Sequence, residues 1–126
     1  MTDPLAPIFA AIQDNEPYYR LVERFYGRVD KDPVLRPLYP LDLTEPKKHL
    51  AQFLIQRTGG EQTYCLERGH PRMRARHLPF KIGEPERDAC VKNMSQAVLE
   101  VPEFEPFRDT LNEFFSSFAT FLINHP

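Results

Sequence analysis

The sequence predicts an all-α protein, and three observations carry that expectation. Apolar residues recur every three or four positions in several long segments. No segment alternates apolar and polar residues over the length of a strand. Proline-rich corners separate the helical segments, which suits crossed helix pairs better than a long parallel bundle.

The elements follow in order. Pro4 to Ile12 reads as a short first helix closed by the turn-formers Asp14 and Asn15. From Pro17, a good first-turn residue, Tyr18, Leu21, Val22, Phe25, Tyr26 and Val29 form one apolar face of a helix ending near Asp30. The stretch 32–40 holds Pro33, Pro37 and Pro40, too many for a long helix, and makes a tight corner of a turn or two. Thr44 offers an N-cap with Pro46 inside the first turn, and Leu50, Phe53 and Leu54 supply an apolar stripe until Gly59-Gly60 ends that helix. Between Tyr64 and Phe80 only a short helical piece ahead of Pro79 is expected. Glu84-Pro85-Glu86 opens the next helix, with Ala89, Cys90, Met94, Ala97 and Val98 on one face and an end near Glu100. The last helix starts at about Glu103 and carries Phe107, Leu111, Phe114, Phe115, Phe118, Phe121 and Leu122 at helical spacing.

Composition bounds the function. With 126 residues the chain suffices for one domain with a real core and is short for two, so 1–126 is expected to be a single domain. A net charge of -2 gives no electrostatic case for a nucleic-acid partner. No apolar run approaches the roughly 20 residues that span a bilayer. Asp3 and Pro4 stand where a signal peptide would be basic and then apolar, so no membrane association and a cytoplasmic location are expected. Cys65 and Cys90 form no CxxC motif, and reduced thiols are the default.

The chemistry-bearing residues concentrate in 64–80, where two histidines and four arginines lie between apolar helices. His125 reads as solvated, His70 before Pro71 as a loop anchor, and His49, taken alone, as an exposed helix residue. His77 ends a short helical turn with Leu78, Phe80 and Ile82 following, and is either a hydrogen-bonded core histidine or a metal ligand. A zinc site needs three or four converging ligands, and no spacing here supplies them. Haem needs one protein ligand, a flat apolar slot and cations for its propionates, and the chain has that inventory. Arg72, Arg74 and Arg76 cannot all face one way, so a solvated charged face is the alternative. Tyr26, on the apolar side of its helix, either bonds a neighbouring carbonyl or turns its hydroxyl into a cavity. No GxSxG elbow and no phosphate-cradling glycine loop is present.

An ordered series of motifs then converges. Phe25-Tyr26, Leu38-Tyr39-Pro40, Gln52-Phe53-Leu54, Gly59-Gly60, Arg68-Gly69-His70-Pro71-Arg72, Arg76-His77, Pro79-Phe80 and Glu86-Arg87-Asp88-Ala89 occur with nearly gapless spacing. In these the chain resembles the truncated haemoglobins, specifically the second of their three main groups. The resemblance implies a truncated globin fold, a two-over-two helical sandwich in which the helices at 17–30 and 44–58 cross those at 84–100 and 103–122 around haem b. His77 matches the proximal histidine that binds iron through Nε2. Tyr26 matches the distal tyrosine that donates a hydrogen bond to the bound ligand, and Tyr39 the aromatic residue at the corner beside it. Phe53 matches the phenylalanine packed on the porphyrin, with Leu50 on the distal side and Leu54 and Phe80 as further haem contacts. His49 and Tyr64 fall where a basic residue and a tyrosine reach the propionates, with Arg72 and Arg76 as additional candidates.

Two departures from the group's pattern stand out. Cys90 takes the place of its usual tryptophan, and this chain has no tryptophan at all. An indole N–H gives way to a small, weakly donating thiol. Pro46 occupies the distal position where other globins often carry a histidine or a small polar residue, and proline has no side-chain donor. Both leave Tyr26 as the main support of a bound ligand.

The functional expectation is binding of oxygen, with nitric oxide and carbon monoxide as further diatomic ligands. An oxygen-transport role, nitric oxide dioxygenation and a peroxidase-like activity all fall within it, the last two needing a reductase that the sequence does not name. A haem-based sensor acting through a partner and a haem-free all-α interaction protein are the alternatives. Members of the resembled family are often dimeric, so a homodimer is an open expectation with no sequence-marked interface.

Overall fold

The structure, a computed structural model, describes residues 3–125. Among the described residues seven α-helices run α1 (Ile8–Ile12), α2 (Glu16–Val29), α3 (Thr44–Arg57), α4 (Thr63–Arg68), α5 (Met73–His77), α6 (Glu84–Leu99) and α7 (Arg108–Phe121), with 3-10 turns at Arg36–Leu38 and Pro102–Phe107. The described residues contain no strand. α2 packs on α3 and on α6, and α6 packs on α7, so one helix pair lies across the other.

The first and last helices start later than the apolar pattern suggests, and proline is the reason both times. Pro7 lacks an N–H and disfavours helical geometry in the residue before it, so 4–7 form turns and the regular helix opens at Ile8. Pro106 likewise keeps Pro102–Phe107 wound as a 3-10 turn, and the α-ladder begins only at Arg108. Thr44 is the first residue of α3 rather than its cap. Its N–H instead donates to Asp42 Oδ1 at 2.9 Å, so Asp42 satisfies the orphan donor. At α6 the Gly83 N–H donates to Glu86 Oε1 at 2.7 Å, half of a capping box. α4 was not expected as a helix, because its six residues are too short to show a period.

One end of the molecule closes on itself. The Tyr18 hydroxyl is hydrogen-bonded to Thr58 Oγ1 at 2.6 Å, tying α2 to the end of α3. The Tyr18 ring packs edge-on against Phe104, with centroids 5.1 Å apart. Gly59, at φ 101, brings the chain so close to the N-terminal turn that a Cβ there would stand 2.3 Å from the Ala6 carbonyl oxygen. The other end, between α2, α3, α6 and α7, stays open, and there the cavity lies.

Candidate functional site

The cavity contains about 1090 Å³ of space including its mouth. Its walls are mainly apolar: Phe53, Leu50 and Leu54 come from α3, and Phe114, Phe115 and Phe118 from α7. The period that built those stripes therefore also built the slot, because α3 and α7 turn their apolar faces toward one space.

Six polar side chains join the wall, Glu86 and Arg87 from the first turns of α6 among them. α2 delivers Tyr26, the proline corner delivers Tyr39, α6 delivers Cys90, and α5 delivers His77. The Tyr26 and Tyr39 rings meet at right angles with centroids 5.4 Å apart. Burial pushes the Tyr26 hydroxyl well above the usual phenol range, and Tyr39 and Cys90 beside it add to the shift. Tyr39 is raised first by burial and then by Cys90. Burial alone pushes the Cys90 thiol up to about 11. All three groups therefore hold their protons at neutral pH, and each is a donor.

His77 is half-buried, and its Nδ1 lies 2.6 Å from the Met73 carbonyl one helical turn back. A carbonyl can only accept, so Nδ1 carries a proton, and in the neutral ring Nε2 keeps its lone pair. No hydrogen bond engages Nε2 among the described residues. This tautomer is the one a metal bound at Nε2 requires, and a bond from the other ring nitrogen is what orients such a ligand.

The remaining sequence candidates stand outside the cavity wall. His49 Nε2 lies 2.9 Å from Arg68 Nη1 and 3.2 Å from Glu45 Oε2. Burial and the Arg68 charge hold its pKa below the ordinary value, so the neutral ring accepts from the guanidinium rather than donating to the carboxylate. Tyr64 is buried edge-on to Phe53 at 5.8 Å between centroids, with Arg68 and Arg76 both over its ring. Arg76 donates to the Pro71 and Arg68 carbonyls at 2.7 and 2.9 Å. Pro46 is half-buried in the first turn of α3. Arg72 is exposed in a left-handed conformation at the start of α5. The structure thus gathers His49, Tyr64 and Arg76 into one cluster and leaves Arg72 apart.

At the centre of that cluster is Arg68, which sequence reasoning passed over. Its Nε is buried without a partner among the described residues. An orphaned guanidinium N–H fits a missing carboxylate, and together with the apolar slot and the His77 tautomer it shows that these residues fit haem with its propionates. Only the order Arg68-Gly69-His70 could have drawn attention to it, since a lone arginine ordinarily reads as surface charge.

A family model described as bacterial-like globin matches residues 7–124. The chain belongs to that family, among the group II truncated haemoglobins. This globin is similar to the hemoglobin of the thermophilic phototrophic bacterium Chloroflexus aurantiacus, at 42% identity, TM-score 0.89, and coverage of 94% of this chain and 98% of the other. The group II truncated hemoglobin of Bacillus anthracis is 38% identical with a TM-score of 0.89, over 94% of this chain and 97% of its own. A curated group 2 truncated hemoglobin of Bacillus subtilis is 47% identical over 79 residues, which make up 63% of this globin and 60% of that protein. The expected two-over-two arrangement is therefore the truncated globin fold. Globins normally bind haem and diatomic gases such as oxygen. No described helix is long and apolar enough to cross a membrane.

Proposed function

We propose that residues 1–126 act as one globin domain that binds haem b between the α2/α3 and α6/α7 pairs, with His77 as the iron's protein ligand. The observation that carries this reading is the His77 ring on the cavity wall, its Nδ1 committed to the Met73 carbonyl at 2.6 Å. When bound, haem supplies an iron able to take a diatomic ligand, oxygen foremost and nitric oxide or carbon monoxide besides. Tyr26 would donate a hydrogen bond to that ligand, Tyr39 packs at a right angle against the Tyr26 ring, and Cys90 would add a weak thiol donor. Phe53, Leu50 and Leu54 exclude water, and Phe80 borders the cavity while staying exposed. Arg68, with His49, Tyr64 and Arg76 around it, would hold the propionates.

Carriage of oxygen needs nothing more than this arrangement. Nitric oxide dioxygenation or peroxide reduction needs an electron donor as well, so a reductase partner belongs to those activities and not to binding. Consumption of nitric oxide by the oxygenated protein, with and without a reductase, separates carrier from catalyst.

Titration of the purified protein with haemin tests the central claim. The expected result is a Soret band at one equivalent and a carbon monoxide complex after reduction, with the band lost in His77→Ala. A His77→Ala variant that keeps the same spectrum and stoichiometry would remove His77 from the role proposed for it.

A further inference from the structure

The segment that leaves His77 and leads into α6 has little packing of its own, since 78–81 are exposed. The tail following α7 holds it. Asn124 Nδ2 donates to two carbonyls, His77 at 3.2 Å and Phe80 at 2.9 Å. Its Oδ1 accepts from the Ile82 N–H at 2.9 Å. The backbone repeats the grip: the N–H groups of Asn124 and His125 both donate to the Ile82 carbonyl, at 2.9 and 3.0 Å. Arg74, within α5, reaches the same tail and donates to the Phe121 and Ile123 carbonyls at 3.2 Å each. The approach is close enough that a Cβ on Gly83 would stand 2.8 Å from the His125 carbonyl oxygen.

We infer that Asn124 is a positioning residue for His77, holding the ligand's own peptide from its C-terminal side while the Met73 carbonyl holds its ring from the N-terminal side. The chemistry is specific to an amide. One side chain has to donate twice and accept at least once at fixed spacing, which asparagine does and aspartate, isosteric but without the donors, does not. A carbonyl gripped in this way fixes the peptide next to the His77 Cα, and with it the direction in which the imidazole projects.

The inference rests on the proposed haem ligation, so the experiment separates the two. Asn124→Asp and Asn124→Ala are compared with the wild-type protein and with Thr58→Val, which removes the Tyr18 bond away from the cavity. Three quantities are read: haem loss to excess apomyoglobin, the iron–histidine stretching band of the reduced protein by resonance Raman, and amide exchange of 77–83 in the apoprotein. Both Asn124 variants are expected to take up haem and lose it about tenfold faster, the scale of a hydrogen bond worth roughly 1.4 kcal/mol. Their iron–histidine band moves or broadens, and 77–83 exchange faster. Thr58→Val leaves the band in place. An unchanged band and haem-loss rate in Asn124→Asp, or an equal band shift in Thr58→Val, would overturn the inference. Failure of the wild-type protein to bind haem would overturn the ligation reading instead, and unchanged amide exchange in apo Asn124→Asp would then still overturn the hold on 77–83.

Discussion

Among single residues, Cys90 sets this globin apart from the pattern it resembles. It occupies a wall shared with Tyr26 and Tyr39, and burial pushes its thiol up to about 11. Below that value the thiol is neutral, so under the proposed function it would be a weak donor to a bound ligand, unchanged across the neutral range. An indole N–H in its place would add a stronger hydrogen bond. Such a bond is worth about 1–1.5 kcal/mol, so Cys90→Trp is expected to slow oxygen release on the order of tenfold. Stopped-flow mixing of the oxygenated proteins with dithionite measures this, and an unchanged or faster rate in Cys90→Trp would show that Tyr26 alone governs release. The wild-type rate should also stay level from neutral to mildly alkaline pH, because Tyr26 and Tyr39 too are raised above the usual phenol range.

The proline corner at 32–40 is the element that carries Tyr39; Arg36 ties its far end by donating to the Tyr39, Pro40 and Leu41 carbonyls, and Asp32 fastens its start. Asp32 Oδ1 accepts from the Val34 and Leu35 N–H groups at 2.8 and 3.3 Å, and Oδ2 from Asn93 Nδ2 on α6 at 2.8 Å. The Asn93 bond is the first cause holding the carboxyl below its ordinary value of 3.8. A carboxyl with a depressed folded pKa stabilises the fold fully above its unfolded pKa, and that contribution is lost as pH falls through the lower folded value. Asp32→Ala is therefore expected to lower the melting temperature by a few degrees at neutral pH, with the gap to the wild-type protein closing in acid below 3.8. Thermal scans across pH read this directly, and a gap as wide in acid as at neutrality would mean that the ionised form has no special role. At this scale the four long helices were legible because each repeats its apolar face over several turns. The six residues of α4 hold too few positions to show a period, and the late starts of α1 and α7 depend on where Pro7 and Pro106 remove donors. The Asp42 cap in place of Thr44 was hidden because capping side chains two residues apart look alike in sequence.

Taken as a whole, the molecule has one end whose packing is closed and one that borders a cavity. Around Tyr18, Thr58, Phe104 and Gly59 the packing is closed, whereas α5, the loop to Gly83 and the α3 stripe border open space. The sequence made the second end legible in its chemistry, with His77, Tyr26, Tyr39, Phe53 and Cys90 converging on one cavity. Its supports went unread, since Asn124 grips residues more than forty positions away and Arg68, apart from the order Arg68-Gly69-His70, looks like surface charge. This asymmetry predicts how haem removal should act. A ligand present at a thousand times its dissociation constant stabilises the folded state by about 4 kcal/mol, but the local effect should be uneven. Loading the apoprotein with haemin is expected to raise amide protection most in 63–83 and in the corner at 36–50, and least in α1 and the adjoining first half of α2. Hydrogen exchange followed by mass spectrometry gives the map. Protection gained evenly along the chain would show that the closed end depends on the ligand as much as the open one, and the division into a self-sufficient half and a ligand-completed half would fall.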